Sequence, residues 1–277
     1  MVENQLETPA LGPVLEGKYY RLVDYLSRLD GAVTAFSGGV DSSLVAFLAH
    51  GVLGDRALAV TSGSDSLTSG DEALTRELAV KWGMAHRTIH TTEINNPDYA
   101  SNPVNRCYFC KSTLYRELSE IANAEGIRAI LNGTNSDDLG DHRPGIEAAN
   151  EFGVRSPLSE CGLGKTEIRV LARHLGLETA EKPQAACLSS RVPYGLRIST
   201  HVLKQVEQAE QVVRDLGISQ LRVRHHGDLA RIEVEPSDFE RLLEQRERIE
   251  QKLRLLGYRF VTLDLKGFRS GSLNEGL

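Results

Sequence analysis

Basic residues are in deficit in this chain. Against 38 acidic residues stand 32 lysines and arginines, a net charge of −6, so no broad nucleic-acid surface is expected. Long apolar runs are missing too: nothing approaches the ~18 residues that a membrane span needs. The opening MVENQLETPALGPVLEG has neither a basic n-region nor an apolar h-region. No signal peptide is therefore expected, and the chain is read as cytoplasmic. Cysteines number only four, and in a cytosolic chain they point to metal binding or catalysis rather than to a disulfide framework. What remains, 40% hydrophobic and 25% charged over 277 residues, is a soluble globular protein of one large or two modest domains.

The most informative stretch is Phe36-Ser-Gly-Gly-Val-Asp-Ser-Ser43, which follows the apolar run Gly31-Ala-Val-Thr-Ala35. Gly38 and Gly39 let the backbone turn sharply and aim amide N–H groups at an anion. Ser37 and Ser42 add hydroxyl donors, and a helix entered at Ser42 brings its positive end to the same place. Asp41 is repelled by phosphate unless a cation lies between them, which predicts a Mg²⁺ site. No lysine follows the glycines, so the loop is not the P-loop of kinases and GTPases. It resembles the PP-loop of the N-type ATP pyrophosphatases. That resemblance implies cleavage of ATP between the α and β phosphates, with a carbonyl oxygen activated as an adenylate.

Leu15, Tyr19, Leu22, Leu26 and Leu29 recur at spacings of four and three, which predicts an amphipathic N-terminal helix. Strands at 31–36, 57–61, 87–90 and 129–132 alternate with helices at 42–50, 70–83 and 111–125. This order predicts an α/β fold with a parallel sheet. Ligands of such sheets lie at the carboxyl ends of the strands, where the Ser-Gly-Gly loop, Thr61 and Gly133 all fall. Residues 93–105 form a long polar loop, and a helix near 165–175 precedes a second loop over 181–195. The domain boundary is expected after residue 195. Beyond it come a helix at 201–216, a hairpin of 221–225 and 229–234 turning at His226-Gly-Asp228, a helix at 237–256 and a strand at 258–264. This small α+β domain (196–277) is read as leaning on the first domain (1–195) or on a neighbouring subunit.

Cys107 and Cys110 form a C-x-x-C pair where the long loop meets a helix, and Tyr108 and Phe109 between them shield a site from solvent. No second pair exists to close a zinc site, and Cys187 is the natural third ligand. Three thiolates leave one iron of a [4Fe–4S] cluster open to an exogenous sulfide, which suits a sulfur-inserting enzyme. A zinc site with an open position, or a redox pair beside a lone nucleophile, stay open on the residues alone. Cys161 reads as a partly buried structural thiol. Arg222 and Arg224 flank Val223 and so share one face of a strand. His225 and His226, by contrast, face opposite ways and cannot easily share a metal. Arg191 suits a phosphate or a developing oxyanion. Asp141 and Arg143 lie in a loop where charged groups reach ATP or substrate.

SGGVDSS, GDHRPG (140–145), CLSSRVPYG (187–195), RVRHHGDLARIEV (222–234) and YRFVTLDLKGFRSG (258–271) together resemble the LarE sulfur transferases over nearly the whole chain from about residue 14. The resemblance implies adenylation of the carboxylates of pyridinium-3,5-biscarboxylic acid mononucleotide and displacement of AMP by sulfur. The product feeds the nickel-pincer nucleotide cofactor of lactate racemase. It also implies substrate-phosphate binding by Arg222 and Arg269, a role nearby for Arg224, and carboxylates Glu210 and Glu233 near the site of sulfur transfer. In one branch of the family the cysteine matching Cys187 gives up its own sulfur. That branch lacks the C-x-x-C, so this sequence resembles the other, where three cysteines hold a [4Fe–4S] cluster. The family implies a homo-oligomer, and the sulfur donor is not identified. Two other readings remain: a tRNA 2-thiolation enzyme, opposed by the acidic balance, and a non-catalytic ATP-binding regulatory protein, opposed by Asp41 and the three cysteines.

Overall fold

The structure is a computed structural model that describes residues 11–140, 144–183 and 186–269. It divides into two compact units, each discontinuous in sequence. The first comprises residues 1–64, 69–92 and 107–185; the second comprises 65–68, 93–106 and 186–277.

In the first unit a parallel sheet is built from β1 (Ala32–Ala35), β2 (Ala57–Ser62), β3 (Ala85–Ile89) and β4 (Ala129–Leu131), in the order β3-β2-β1-β4. β1 is central and pairs with both β2 and β4, Ala32 lying opposite Ala57 and Ala129. Alternation along the strands sends side chains to two cores. Ala32, Ala57, Ala129 and Leu131 join α1 (Pro13–Ser27) and α2 (Val40–Leu53) in one of them. Val33, Val60 and Ile130 pack with Leu118 on the other. Helices on both faces explain why β1, β2 and β4 carry only small or apolar residues and threonine, whereas edge strand β3 carries His86 and Arg87. Leu22 and Leu26 of α1 are fully buried, as the spacing predicts. α3 (Ser69–Lys81) links β2 to β3.

The long polar segment after β3 is more structured than a loop, since it contains α4 (Pro97–Ala100), capped by Asn96 through the Asp98 N–H at 2.9 Å. The following helix, α5 (Arg106–Ala124), begins five residues before the expected position. Cys107 and Cys110 therefore lie on the helix rather than ahead of it. After β4 come α6 (Pro144–Glu151), α7 (Pro157–Glu160) and α8 (Lys165–His174).

The second unit contains α9 (Thr200–Arg214), β5 (Leu221–His226), β6 (Leu229–Val234), α10 (Phe239–Glu244), α11 (Arg246–Leu255) and β7 (Phe260–Leu263). β5 and β6 form the predicted antiparallel hairpin, and β7 adds parallel to β6. Leu221, Val223, Ala230, Ile232 and Val234 make its core with Ala209, Val213, Leu253 and Tyr258. The expected single helix at 237–256 is broken. Gln245 leaves helical geometry at φ −102° and ψ 14°, so two short helices replace it. Among the described residues, no helix is long and apolar enough to cross a membrane.

Candidate active site

Chemistry-bearing residues gather at one place in each unit. In the first unit, the loop after β1 wraps the start of α2. Gly38 sits at φ +70°, where a side chain is strained. The Ser37 N–H donates to Ser42 Oγ at 3.2 Å, and Ser42 Oγ donates to the Gly39 carbonyl at 3.1 Å. Gly39 opens α2 without a side-chain cap, so the helix end has no built-in partner for an incoming anion to displace. Gly133 packs against this turn, and a Cβ there would lie 2.7 Å from the Ser42 amide nitrogen. Thr61 is buried and donates its hydroxyl to the Phe36 carbonyl at 2.7 Å, fixing the strand end that feeds the loop.

Two lysines that sequence reading missed complete this place. Lys182 donates to the Gly38 carbonyl at 3.0 Å and pairs with Asp71 at 2.7 Å. Lys165, the first residue of α8, pairs with Asp41 Oδ2, while Asn135 Nδ2 donates to Asp41 Oδ1 at 3.3 Å. The two lysines are 124 and 144 residues from the loop positions they reach, so no local pattern in the loop announces them. The nearest signal is Gly164-Lys165-Thr166, a glycine and lysine at a helix start. The Asp41 carboxylate is a hard oxygen donor beside a phosphate-binding turn, and this fits Mg²⁺.

In the second unit a buried ion-pair network holds the peptide around Cys187. Arg191, 3% exposed, forms a forked pair with Glu210 at 2.8 and 3.1 Å. Its third nitrogen donates to the Ala186 carbonyl, to the Cys187 carbonyl at 2.9 Å and to Ser190 Oγ at 3.1 Å. Arg224 forms a second forked pair with fully buried Glu233 at 3.0 and 2.9 Å and donates to the Ser190 carbonyl at 2.7 Å. The Leu188 N–H donates to the Ser66 carbonyl at 2.8 Å, and Tyr99 and Ser189 share a hydroxyl contact of 2.5 Å. Asn102 is fully buried at φ 57° and donates to the carbonyls of Val192, Pro193 and Leu196 at 2.8–3.2 Å. The main chain from 186 to 196 is thus tied at nearly every residue, while the Cys187 side chain is exposed.

Arg222 adjoins this network. Burial, then the nearby Arg191 and Arg224, bring its pKa down to about 10, which Glu210 and Glu233 only partly offset. Its guanidinium lies 5.0 Å from the Phe268 ring. Its charge is destabilised where it sits, so an added anion is favoured there. Arg269 pairs with Asp264 at 3.5 Å in the segment that carries Phe268. That segment is anchored by the Phe268 N–H on the Val234 carbonyl at 2.8 Å.

Cys107 and Cys110 lie one turn apart on a face of α5, exposed and half-buried respectively. That spacing fits two thiolate ligands of one cluster. They belong to the first unit and Cys187 to the second. Among the described residues, no group of three or more His, Cys, Asp or Glu side chains is placed to hold a metal ion. Cys161 is buried in the first unit's core, and burial raises its pKa. His225 is buried against Tyr258. Asp141 and Arg143 lie outside the described residues.

A family model described as asparagine synthase matches residues 27–141. An uncharacterised protein of Synechocystis is 44% identical, with 95% of this chain and 99% of the relative covered. A pyridinium-3,5-bisthiocarboxylic acid mononucleotide synthase of Lactiplantibacillus plantarum is 38% identical, with 95% of this chain and 96% of the relative covered. One subunit of the glutamine-hydrolysing GMP synthase of Archaeoglobus fulgidus is 26% identical over 59% of this chain and 54% of its own length.

Proposed function

The chain belongs to the LarE family of ATP-dependent sulfur-transferring enzymes built on a PP-loop domain, and from that premise we propose that it makes the bisthiocarboxylic acid mononucleotide that its Lactiplantibacillus relative is named for. Each carboxylate of the pyridinium-3,5-biscarboxylic substrate attacks the α phosphate of ATP, forming an acyl adenylate and releasing pyrophosphate. A sulfide equivalent then adds to the acyl carbon, and AMP leaves with the bonding pair. The product enters nickel-pincer nucleotide assembly for lactate racemase, in the cytoplasm.

In this reading Ser37, Gly38, Gly39, Ser42 and Lys182 bind the triphosphate, with Thr61 and Gly133 shaping the loop and Asp41 holding Mg²⁺. Arg222 and Arg269 bind the substrate phosphate. Arg191, Glu210, Arg224 and Glu233 fix the peptide that carries Cys187, so its sulfur keeps one position. Cys107, Cys110 and Cys187 would hold a [4Fe–4S] cluster. When bound, a cluster with one unligated iron would supply the sulfur. The C-terminal part, residues 196–277, takes the substrate phosphate and contributes to a homo-oligomer.

The observation that carries the reading is the pairing of two anion sites in one chain, a PP-loop with its acidic metal ligand and an arginine network gripping an exposed cysteine. The test is anaerobic purification with iron and acid-labile sulfide analysis, and intact mass before and after turnover. About four irons per chain, an unchanged mass, and pyrophosphate exchange that depends on the biscarboxylic mononucleotide are expected. Loss of one H₂S equivalent from Cys187 would instead mark it as the consumed sulfur donor and remove the cluster from the reaction.

A further inference from the structure

We propose that Lys165 competes with the divalent cation for Asp41, so that metal entry transfers the lysine ammonium from the carboxylate to the phosphate chain. The inference rests on the ATP-binding reading above. Asp41 lies in the first turn of α2, next to the phosphate-binding loop, and both its oxygens have partners within the protein, Asn135 on Oδ1 and Lys165 on Oδ2. A metal ion can take Oδ2 only by moving the ammonium, because two cations at one oxygen repel each other.

The two ends of Lys165 are held very differently. Its main chain is rooted: the Lys165 N–H donates to Asp137 Oδ2 at 2.7 Å, and the Gly164 N–H to Glu167 Oε2 at 3.0 Å. A Cβ at position 164 would lie 3.0 Å from Asp137 Oδ1, so glycine permits this close root. The ammonium, in contrast, rides on a flexible four-carbon stem with three rotatable donors. The side chains of Lys165 and Asp41 are 29% and 19% exposed, so water can bridge the exchange and neither charge is stranded in a dry interior. Lys182 pairs instead with the Gly38 carbonyl and Asp71, neither of which is the metal ligand. Lys165 is therefore the lysine whose partner the metal itself removes.

The consequence is a pair of effects with opposite signs. Without Lys165, Asp41 takes a metal ion more readily, and the phosphate chain loses a cation. A lysine that merely starts a helix predicts neither, and one that only binds phosphate predicts the second alone. Mn²⁺ binding to the full-length chain, followed by electron paramagnetic resonance with and without α,β-methylene-ATP, separates these cases. Lys165→Met is expected to bind Mn²⁺ about threefold more tightly in the absence of the analogue, the scale of a partly exposed ion pair. Its affinity for the analogue is expected to fall about tenfold, the scale of one charge-assisted hydrogen bond. Lys165→Arg keeps the charge and should hold Mn²⁺ affinity near that of the wild type. Should Lys165→Met fail to fold, Lys165→Gln makes the same comparison without the charge. Unchanged or weaker Mn²⁺ binding in the neutral variant overturns the competition. Failure of the wild-type chain to bind the analogue at all removes the ATP-site reading, and the inference with it.

Discussion

Glu210 illustrates how one side chain serves both the fold and the site. It is 1% exposed, accepts from Arg191 twice and from the Val223 N–H at 3.2 Å, and lies in a longer ion pair with Arg214 at 3.8 Å. Through Arg191 it also holds the carbonyls of Ala186 and Cys187. Removing the carboxylate strands a buried guanidinium, which costs more than the pair contributes by forming. Glu210→Ala should therefore lose about 3–5 kcal/mol of stability in chemical denaturation. A loss under about 1 kcal/mol, the range of an exposed pair, would mean that Arg191 finds another partner and that the Cys187 peptide is held by other means. From sequence, Glu210 is visible only as a residue matching a family pattern. Arg191 reads in the sequence as a group suited to a phosphate or a developing oxyanion, and in the fold its nitrogens are engaged by Glu210, the Ala186 and Cys187 carbonyls and Ser190. What local sequence cannot show is a partner 19 residues away that arrives only when α9 packs on β5. Lys165 and Lys182 are the same case at a greater separation, 124 and 144 residues from their contacts in the loop.

At the scale of elements, periodicity carried most of the fold. The stripe from Leu15 to Leu26 is α1, with Leu29 just past its end, and the alternating apolar residues of 221–234 are the β5–β6 hairpin. The C-x-x-C helix began early because Asn102 and Arg106, bonded at 2.8 Å, tie the end of the polar segment to the first turn of α5, a contact with no periodic signature. α10 and α11 read as one helix because Gln245 is a good helix former, and nothing in its neighbourhood signals a break. The hairpin also carries a pH dependence. His225 is buried against Tyr258 at 3.2 Å, and its pKa is lowered by burial first and then by His226 and His201. His226 is lowered as well, chiefly by burial. An unfolded chain takes up these protons first as pH falls. Stability is thus full above about pH 6.5 and is eroded below it. A thermal midpoint that is flat from pH 8 to 7 and drops by roughly 2–4 °C between pH 6.5 and 5 is expected. His225→Phe keeps the ring packing and should flatten part of that slope, even if its midpoint is lower throughout. An unaltered slope in the variant would move the effect to His226 or to His86, which burial lowers too.

For the whole molecule, the main lesson is that its units interleave. Residues 65–68 and 93–106 lie within the sequence of the parallel-sheet domain yet cluster with the C-terminal elements. There Ser66 and Asn102 hold the Cys187 segment through its main chain. A contiguous reading of the chain hides this, because a segment's allegiance depends on contacts made far along the sequence. The division also says where each ligand should be felt. The PP-loop, Asn135 and both lysines belong to the first unit, and the arginine network belongs to the second. Amide hydrogen exchange on the intact chain should then resolve two footprints. α,β-Methylene-ATP with Mg²⁺ is expected to slow exchange at 36–43 and 132–138, where phosphate would replace water on backbone amides and brace the turn against β4. A pyridinium mononucleotide bearing two carboxylates is expected to slow exchange at 186–192, 222–234 and 264–269, where the anion would relieve the charge crowding around Arg222. Protection by the mononucleotide confined to 36–43 would mean that it competes for the triphosphate turn and that the arginines are purely structural. Separate footprints that grow when both ligands are present would instead tie the activation step to one unit and the choice of what is activated to the other.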